Sequence, residues 1–318
     1  MLRHSMRVRM TNPHFRMNNR PMQPTRISPL VSDSWSQQAS WSKAADRQKR
    51  LIGRARSAAL LCGVLMAVLG TAAAQAGSAH PHAAQWLAFG AAVAAGAVPL
   101  LNGQAGPRQI QDWTRLRSVS EAFKAEMYAF LAGVGRYRTP DAAAQLHSAA
   151  GDIRQDAADL LHHLADVPVA SSRPLPDVHD VDSYLQVRVR GQIDGYYRAR
   201  AAEMRTRLRV VRWVQLALGA LAVLLGAGSG AFHAEQAAAW VAVVATVSAV
   251  VVAYSTSAKY EYQELEFLRT ADELERILAD WRLSVDRTEQ AEDNLISRCE
   301  QVISVLNDTW MVKWTSDS

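Results

Sequence analysis

The sequence predicts an all-α membrane protein with two transmembrane helical hairpins, four spans in total, and long cytoplasmic amphipathic helices. Two observations predict this fold class. No Lys, Arg, Asp or Glu occurs between Arg56 and Arg108, and a second pair of apolar blocks follows in the other half. At about 1.5 Å rise per residue, each block is long enough to cross a hydrocarbon core of roughly 30 Å. The four predicted spans are residues 57–75, 84–101, 213–230 and 237–256.

A short polar tip interrupts each pair of spans. Gly77, Ser78, His80 and Pro81 break the first pair, which is typical of a helical hairpin. The alternative is a secretory signal peptide, because small residues follow the first apolar block as at a cleavage site. The long polar stretch before this block and the second block soon after it favour the hairpin.

The chain of 318 residues, with a net charge of +5, has room for two domains. A Pro-rich stretch in the middle is the clearest predicted boundary. The N-terminal stretch is basic and aperiodic, so we expect a disordered tail, with a lipid-binding tail as the alternative. The predicted division is a tail (1–40), a first two-span unit (41–166), a linker (167–182) and a second two-span unit with C-terminal helices (183–318).

The charged segments between the spans have helical periodicity. Helices are expected at 108–137, 142–166, 184–212 and 259–314. Apolar residues at three-, four- and seven-residue steps predict packing seams. The first seam is Leu116, Phe123, Met127, Phe130, Val134 and Tyr137; the second is Phe267, Ala271, Leu274, Leu278, Trp281 and Val285; the third is Ile296, Cys299, Ile303, Leu306 and Trp310.

The order of parts occurs twice: basic helix, hairpin, amphipathic helix. A shift of 152 residues aligns Arg117, Glu121 and Lys124 with Arg269, Glu273 and Arg276. We therefore predict an internal duplication. Both tips lack Lys and Arg, whereas the opposite flanks carry them, so the positive-inside rule places both termini in the cytoplasm.

The predicted spans favour association over coupled transport. Their only ionisable side chains are Cys62 and Tyr254, and a carrier normally needs a buried carboxylate or cation. Glycines at seven-residue steps mark faces on which helices approach closely, so we predict packing sites there. These are Gly63, Gly70, Gly219 and Gly226. Candidate pore-lining residues are Thr71, Gln215, Thr246 and Ser248, with hydrogen bonds to the neighbouring backbone as the alternative.

No group of residues in the sequence indicates an enzyme active site. His162 and His163 point about 100° apart on a helix, so one metal ion could hardly take both. Cys62 and Cys299 make no disulfide framework. We predict no catalytic residues, no metal and no cofactor, and the basic clusters beside apolar blocks point to a bilayer rather than to nucleic acid.

Two groups of residues resemble a known family. The first half resembles the post-hairpin helix of SLATT-type proteins, the SMODS and SLOG-associating two-transmembrane effectors that include the family of unknown function DUF4231. Its matching positions are Trp113, Arg117, Glu121, Lys124, Glu126, Tyr128 and Tyr137. The second half resembles the approach helix and the ending of that domain, and Glu273 corresponds to Glu121 in the duplication. The matching positions there are Tyr184, Leu185, Arg188, Gln192, Tyr197, Ala201, Cys299, Glu300, Ile303, Ser304, Asn307, Trp310, Lys313 and Trp314.

The resemblance implies a bacterial membrane effector. Such domains are thought to oligomerise and to form pores in systems triggered by nucleotide second messengers or other sensors. We therefore expect a homo-oligomeric pore-forming or membrane-disrupting effector in the inner (plasma) membrane, with a cytoplasmic sensor protein as a further partner. The alternative is a non-conducting membrane scaffold or sensor that docks a cytoplasmic partner through its seams.

Overall fold

The structure is a computed structural model and describes residues 29–77, 79–167, 173–232 and 235–316. For residues 232, 235–237, 257 and 305–316 it describes the backbone alone. All regular elements in the described ranges are helices, which confirms the all-α fold class. Four of the helices are long and apolar enough to cross a membrane, as the four uncharged blocks predict.

The first hairpin pairs helix α1 (Pro29–Ala76) with helix α2 (Pro81–Gly103). Helix α1 has 48 residues and is about 70 Å long at ~1.5 Å per residue, so only its C-terminal part lies in the bilayer. Pro81 suits the first position of α2, where a backbone N–H has no partner within the helix. The predicted break between the first two spans is therefore confirmed.

The second hairpin is the end of a longer helical rod. A short helix α5 (Val181–Tyr184) leads into two π-helical segments, Leu185–Arg190 and Ile193–Tyr197. Helix α6 (Arg198–Phe232) follows directly, and helix α7 (Glu235–Ala258) returns beside it. The predicted helix at 184–212 thus runs on into the third span without a break.

Besides α5, four α-helices in the described ranges lie outside the spans. Helix α3 (Pro107–Ala132) continues from the first hairpin and ends at Gly133, whose φ of 67° suits a residue without Cβ. The helix predicted to reach residue 137 therefore stops five residues earlier. The other three are α4 (Ala142–Asp156), α8 (Tyr260–Leu283) and α9 (Glu289–Ser316), with 3₁₀ turns at Gly135–Arg138 and Ala158–Leu164.

The apolar helices form an open row. Helix α1 packs against both α2 and α7, and α7 packs against α6. The α1–α7 contact holds along the spans, since Trp240 donates a hydrogen bond to Gln75 at 3.2 Å and Val250 meets Gly63. Within the described ranges no comparable contact joins α2 to α6. These two helices are therefore the outer edges of the row.

The two predicted units share one core outside the spans. Ile52, Ile110, Tyr184, Phe267 and Cys299 belong to a single buried cluster, although they come from both halves. The described part of the linker is also packed, because Trp35 donates a hydrogen bond to the carbonyl oxygen of Pro174 at 3.1 Å. The halves therefore pack together rather than as separate bodies around residue 167.

Two predicted boundaries differ from the structure. Helix α1 begins at Pro29, so residues 29–40, which the sequence places in a disordered tail, are helical; residues 1–28 lie outside the described residues. Val31, Trp35 and Gln38 are buried there, because α3 and α4 cover that end of α1. Val285, predicted to close the second seam, lies beyond the end of α8 and is 96% exposed.

The packing of Gly63 generates the first prediction. A Cβ at this position would lie 3.3 Å from Cγ1 of Val250 on α7, whereas a Cβ at Gly70 would meet nothing within 4 Å. Gly63→Leu should therefore overpack the α1–α7 contact and lower the free energy of unfolding by about 1–3 kcal/mol. Thermal unfolding in detergent measures the effect, with Gly70→Leu as the matched control. Equal melting temperatures for the two variants would contradict the α1–α7 packing.

Candidate functional site: a buried charge network

Arg188 is the centre of a buried polar network outside the spans. Its side chain is 2% exposed. Nε and Nη2 donate to both carboxylate oxygens of Glu300 on α9, at 3.0 and 2.8 Å, and Nη2 also reaches Glu121 on α3 at 3.3 Å. Such fork-to-carboxylate pairs are strong and geometrically specific. One guanidinium therefore joins a carboxylate of the first half to a carboxylate of the second.

The carboxylate of Glu121 forms ion pairs with three cationic side chains, those of Arg117, Lys124 and Arg188. It is 4% exposed, and its Oε1 lies 2.9 Å from Arg117 and 2.8 Å from Lys124. Burial by itself would raise the pKa of Glu121, but Arg117, Lys124 and Arg188 outweigh it and lower the pKa to about 2. This pKa is below the unfolded value, so the stability that Glu121 contributes is complete above about pH 4.5 and is lost as the pH falls towards 2.

The residues just before Arg188 determine where the helical segment that carries it begins. Asp180 caps helix α5 by accepting a hydrogen bond from the N–H of Ser183 at 2.8 Å, and the Ser183 hydroxyl accepts one from the N–H of Asp180 at 3.0 Å. With this capping box, helix α5 begins at Val181, directly after Asp180. The π-helical segment that follows carries Arg188, and such wide turns are frequent at functional sites.

Aromatic rings enclose the network. The Arg188 guanidinium lies 4.9 Å from the centre of the Tyr128 ring, and Arg117 lies 5.5 Å from that of Tyr196. The Tyr184 hydroxyl donates to Glu300 at 2.9 Å. Burial and the nearby Glu300 also raise the pKa of Cys299 to about 12, so this thiol stays protonated. The network is therefore held from several sides.

The structure brings only some of the predicted family positions together. Arg117, Glu121 and Lys124 belong to the network, and Trp113 stands beside it with the Lys49 ammonium 5.5 Å from its ring. Tyr137 is buried elsewhere, where its hydroxyl donates to Glu126. Glu273 lies on α8 and pairs with Arg276 on its own helix. The side chains of Trp310 and Trp314 lie outside the described residues.

The predicted packing glycines fall into two groups. Gly63 faces Val250 inside the row, but a Cβ at Gly70, Gly219 or Gly226 would meet no atom within 4 Å. Gly90, which the sequence analysis did not select, is also close-packed, with Leu69 3.3 Å from its Cβ position. The seven-residue glycine spacing did not select Gly90, because no glycine lies seven residues before or after it.

The candidate pore-lining residues lie on three of the apolar helices, α1, α6 and α7. Thr246 is exposed and donates to the carbonyl oxygen of Ala242 at 2.9 Å, which is the backbone alternative. Thr71, Gln215 and Ser248 are half-buried on three different helices.

Metal-ligand geometry is not found in the described part of the chain, where no three His, Cys, Asp or Glu residues stand close enough to hold an ion. The His162 and His163 rings lie 4.0 Å apart, and Nε2 of His163 is 3.5 Å from Asp112. The arrangement is that of a helix-surface pair.

Fold and network together define a membrane protein with two helical hairpins held by one extramembrane helical bundle. Residues 184–310 match the model of SMODS and SLOG-associating 2TM effector domain 1, and residues 37–145 match the protein family of unknown function DUF4231. The SLATT-type resemblance is thereby confirmed in both halves, and the second half is similar to a domain described as a two-transmembrane effector. Neither the curated proteins nor the solved structures include a match.

The network generates the second prediction. Glu121→Gln leaves Arg117, Lys124 and Arg188 facing one another with less negative charge, so it should destabilise the fold by about 3–5 kcal/mol. Glu273→Gln is the matched control, because its carboxylate pairs on the surface and is worth at most about 1 kcal/mol. Thermal unfolding of the two solubilised variants measures the difference. Equal stability would show that the buried carboxylate is not what holds the halves together.

Proposed function

We propose that this protein is an oligomeric pore-forming effector of a bacterial conflict system, located in the inner membrane with both termini in the cytoplasm. The observation that carries the proposal is the open row of apolar helices, α2–α1–α7–α6. A row with two unequal edges closes into a ring when the α2 edge of one copy meets the α6 edge of the next. The match to a two-transmembrane effector domain supports the same function.

The two edges are complementary in size. Helix α2 carries large exposed residues at seven-residue steps, Trp86, Val93 and Leu100. Helix α6 carries Gly226 and Gly219 at the same step, with open space beside each Cβ position. Counted from the two hairpin turns, Trp86 and Gly226 lie within about one helical turn of the same depth, as do Val93 and Gly219. Knobs on one edge would thus meet holes on the other.

The cytoplasmic network supplies a control element for such an assembly. Arg188 and Glu300 tie helix α9 to the rod that becomes the third span, and Glu121 ties both to helix α3. A sensor protein that displaces α9 would break bonds that also position the spans. We propose that the network holds the closed state of the assembly and that the trigger acts through it.

A second candidate function is a non-conducting scaffold that docks a cytoplasmic partner. One observation favours it. The end of α8 and the loop after it expose two apolar side chains, Leu283 at 83% and Val285 at 96%. Apolar residues presented this far from the spans suit a protein partner. The two functions differ in whether the assembled protein conducts ions.

The third prediction concerns ring closure. Gly219→Leu with Gly226→Leu fills the holes on α6 without touching the same chain, so we expect monomers to fold normally while self-association and membrane depolarisation are lost. Crosslinking in membranes and a membrane-potential dye after induced expression measure the two effects. Ala217→Leu, on the other flank of α6, is the control and should behave as wild type. Intact crosslinking ladders in the double glycine variant, or unchanged potential with wild-type protein, would refute the pore proposal.

The fourth prediction concerns orientation. In a variant without Cys62 and Cys299, a single cysteine replacing Gly77 at the first turn should react with an impermeant thiol reagent on sealed cells. A cysteine replacing Val285 should react only after the membrane is permeabilised, because the positive-inside rule places α8 in the cytoplasm. Labelling of both positions from outside would invalidate the proposed topology.

A further inference from the structure

Four cations line one cleft where the extramembrane bundle meets the spans. They are Lys49 and Arg56 of α1, and Arg200 and Arg207 of α6. Among the described residues that line the cleft, Glu203 is the one carboxylate, and it accepts hydrogen bonds from Arg200 at 2.6 Å and from Arg207 at 2.5 Å. The described side chains that line the cleft thus include four cations and one carboxylate, and the cleft is cationic beside the membrane.

The neighbouring cations and the enclosure of the cleft affect the pKa of Lys49. Its ammonium packs over the Trp113 ring at 5.5 Å, and neighbouring side chains enclose it although part of the residue is exposed. This enclosure, followed by repulsion from Arg200 and Arg117, lowers the pKa of Lys49 to about 8. An anion in the cleft would offset both effects, since it would replace lost hydration and oppose the repulsion.

An apolar crevice adjoins the basic cleft. It lies between α1, α2 and α7 and is lined by Gly63, Ala95 and Val98, among other residues. Arg56 and Tyr254 line both the crevice and the cleft, so the two cavities adjoin at these side chains. The crevice runs along the apolar spans, where the surrounding medium is the acyl region of the bilayer. Together the cavities are cationic at one end and apolar at the other.

We propose that this cleft and crevice bind one anionic phospholipid, with its phosphate among Lys49, Arg200 and Arg207 and one acyl chain between α1, α2 and α7. A free phosphate or a nucleotide would satisfy the cationic end alone. The apolar crevice favours the lipid, because an acyl chain fills it with matching surface. The bound lipid would link the two hairpins at the point where they enter the bundle.

Lipid retention by the purified full-length protein tests the proposal. Native mass spectrometry in mild detergent compares phosphatidylglycerol with phosphatidylcholine of the same acyl chains. The wild type should retain phosphatidylglycerol preferentially. Lys49→Gln with Arg207→Gln should weaken this retention at least about tenfold, because two charged contacts to the phosphate are lost. The matched control is Arg50→Gln with Arg209→Gln, which removes two exposed cations from the same helices and should leave retention unchanged.

A second pair of variants tests the apolar end. Ala95→Phe places a ring in the crevice, whereas Ala92→Phe places the same ring on the exposed face of α2. Only the first variant should lose phosphatidylglycerol. If the double cation variant does not fold, Lys49→Gln alone serves, with an expected weakening of about threefold, because the Lys49 side chain is partly exposed.

Three results would overturn the proposal. One is equal retention of phosphatidylglycerol by the wild type and by the double cation variant. Another is equal retention of the two lipids by the wild type. The third is binding of inorganic phosphate or a nucleotide that depends on Lys49 and Arg207 without any preference for the anionic lipid. The test uses solubilised protein, so its failure is distinct from a failure of the pore proposal.

Discussion

Arg188 keeps a full positive charge at a place where 2% of its side chain reaches solvent. Removing an ion from water costs several kcal/mol, and this cost is offset only when partners with good geometry surround the ion. Here the partners are Glu121 from the first half and Glu300 from the end of the second. Any arrangement that separates these three residues leaves a buried charge unpaired. The network therefore restricts how α3, the π-helical segment and α9 pack.

The positions of the spans follow from this restriction. Helix α3 continues from α2 through a short turn, and the rod that carries Arg188 runs without interruption into α6. Within lipid, apolar surface gives helices little preference for one another, so close packing and polar contacts decide which helices meet. In the described part of the spans, such contacts are found at Gly63, at Gly90 and between Trp240 and Gln75. The extramembrane bundle thus aligns the row, and the edges α2 and α6 keep unused surface.

The two halves use similar residues in different ways. Glu121 with Lys124 and Glu273 with Arg276 have the same spacing, yet the first pair is buried in the network and the second lies on the surface. The difference arises because α9 covers α3, while no helix of the described chain brings a buried arginine to Glu273. Internal duplication stays a prediction, and the matches of the two halves to two different family models are what a diverged duplication would produce.

The sequence by itself determined the four apolar helices, their pairing into hairpins and the resemblance of the two halves to known family models. These features depend on local composition, because about twenty uncharged residues in succession are stable in a bilayer whatever surrounds them. It also singled out Arg117, Glu121, Lys124, Arg188 and Glu300 as positions that resemble the family. Only the tertiary structure decided that these five residues meet in one buried network, that residues 29–40 pack as helix, and that Gly63 is buried while Gly219 is open. Those outcomes depend on contacts between residues tens to hundreds of positions apart, and neither spacing nor composition encodes which distant neighbour a side chain meets.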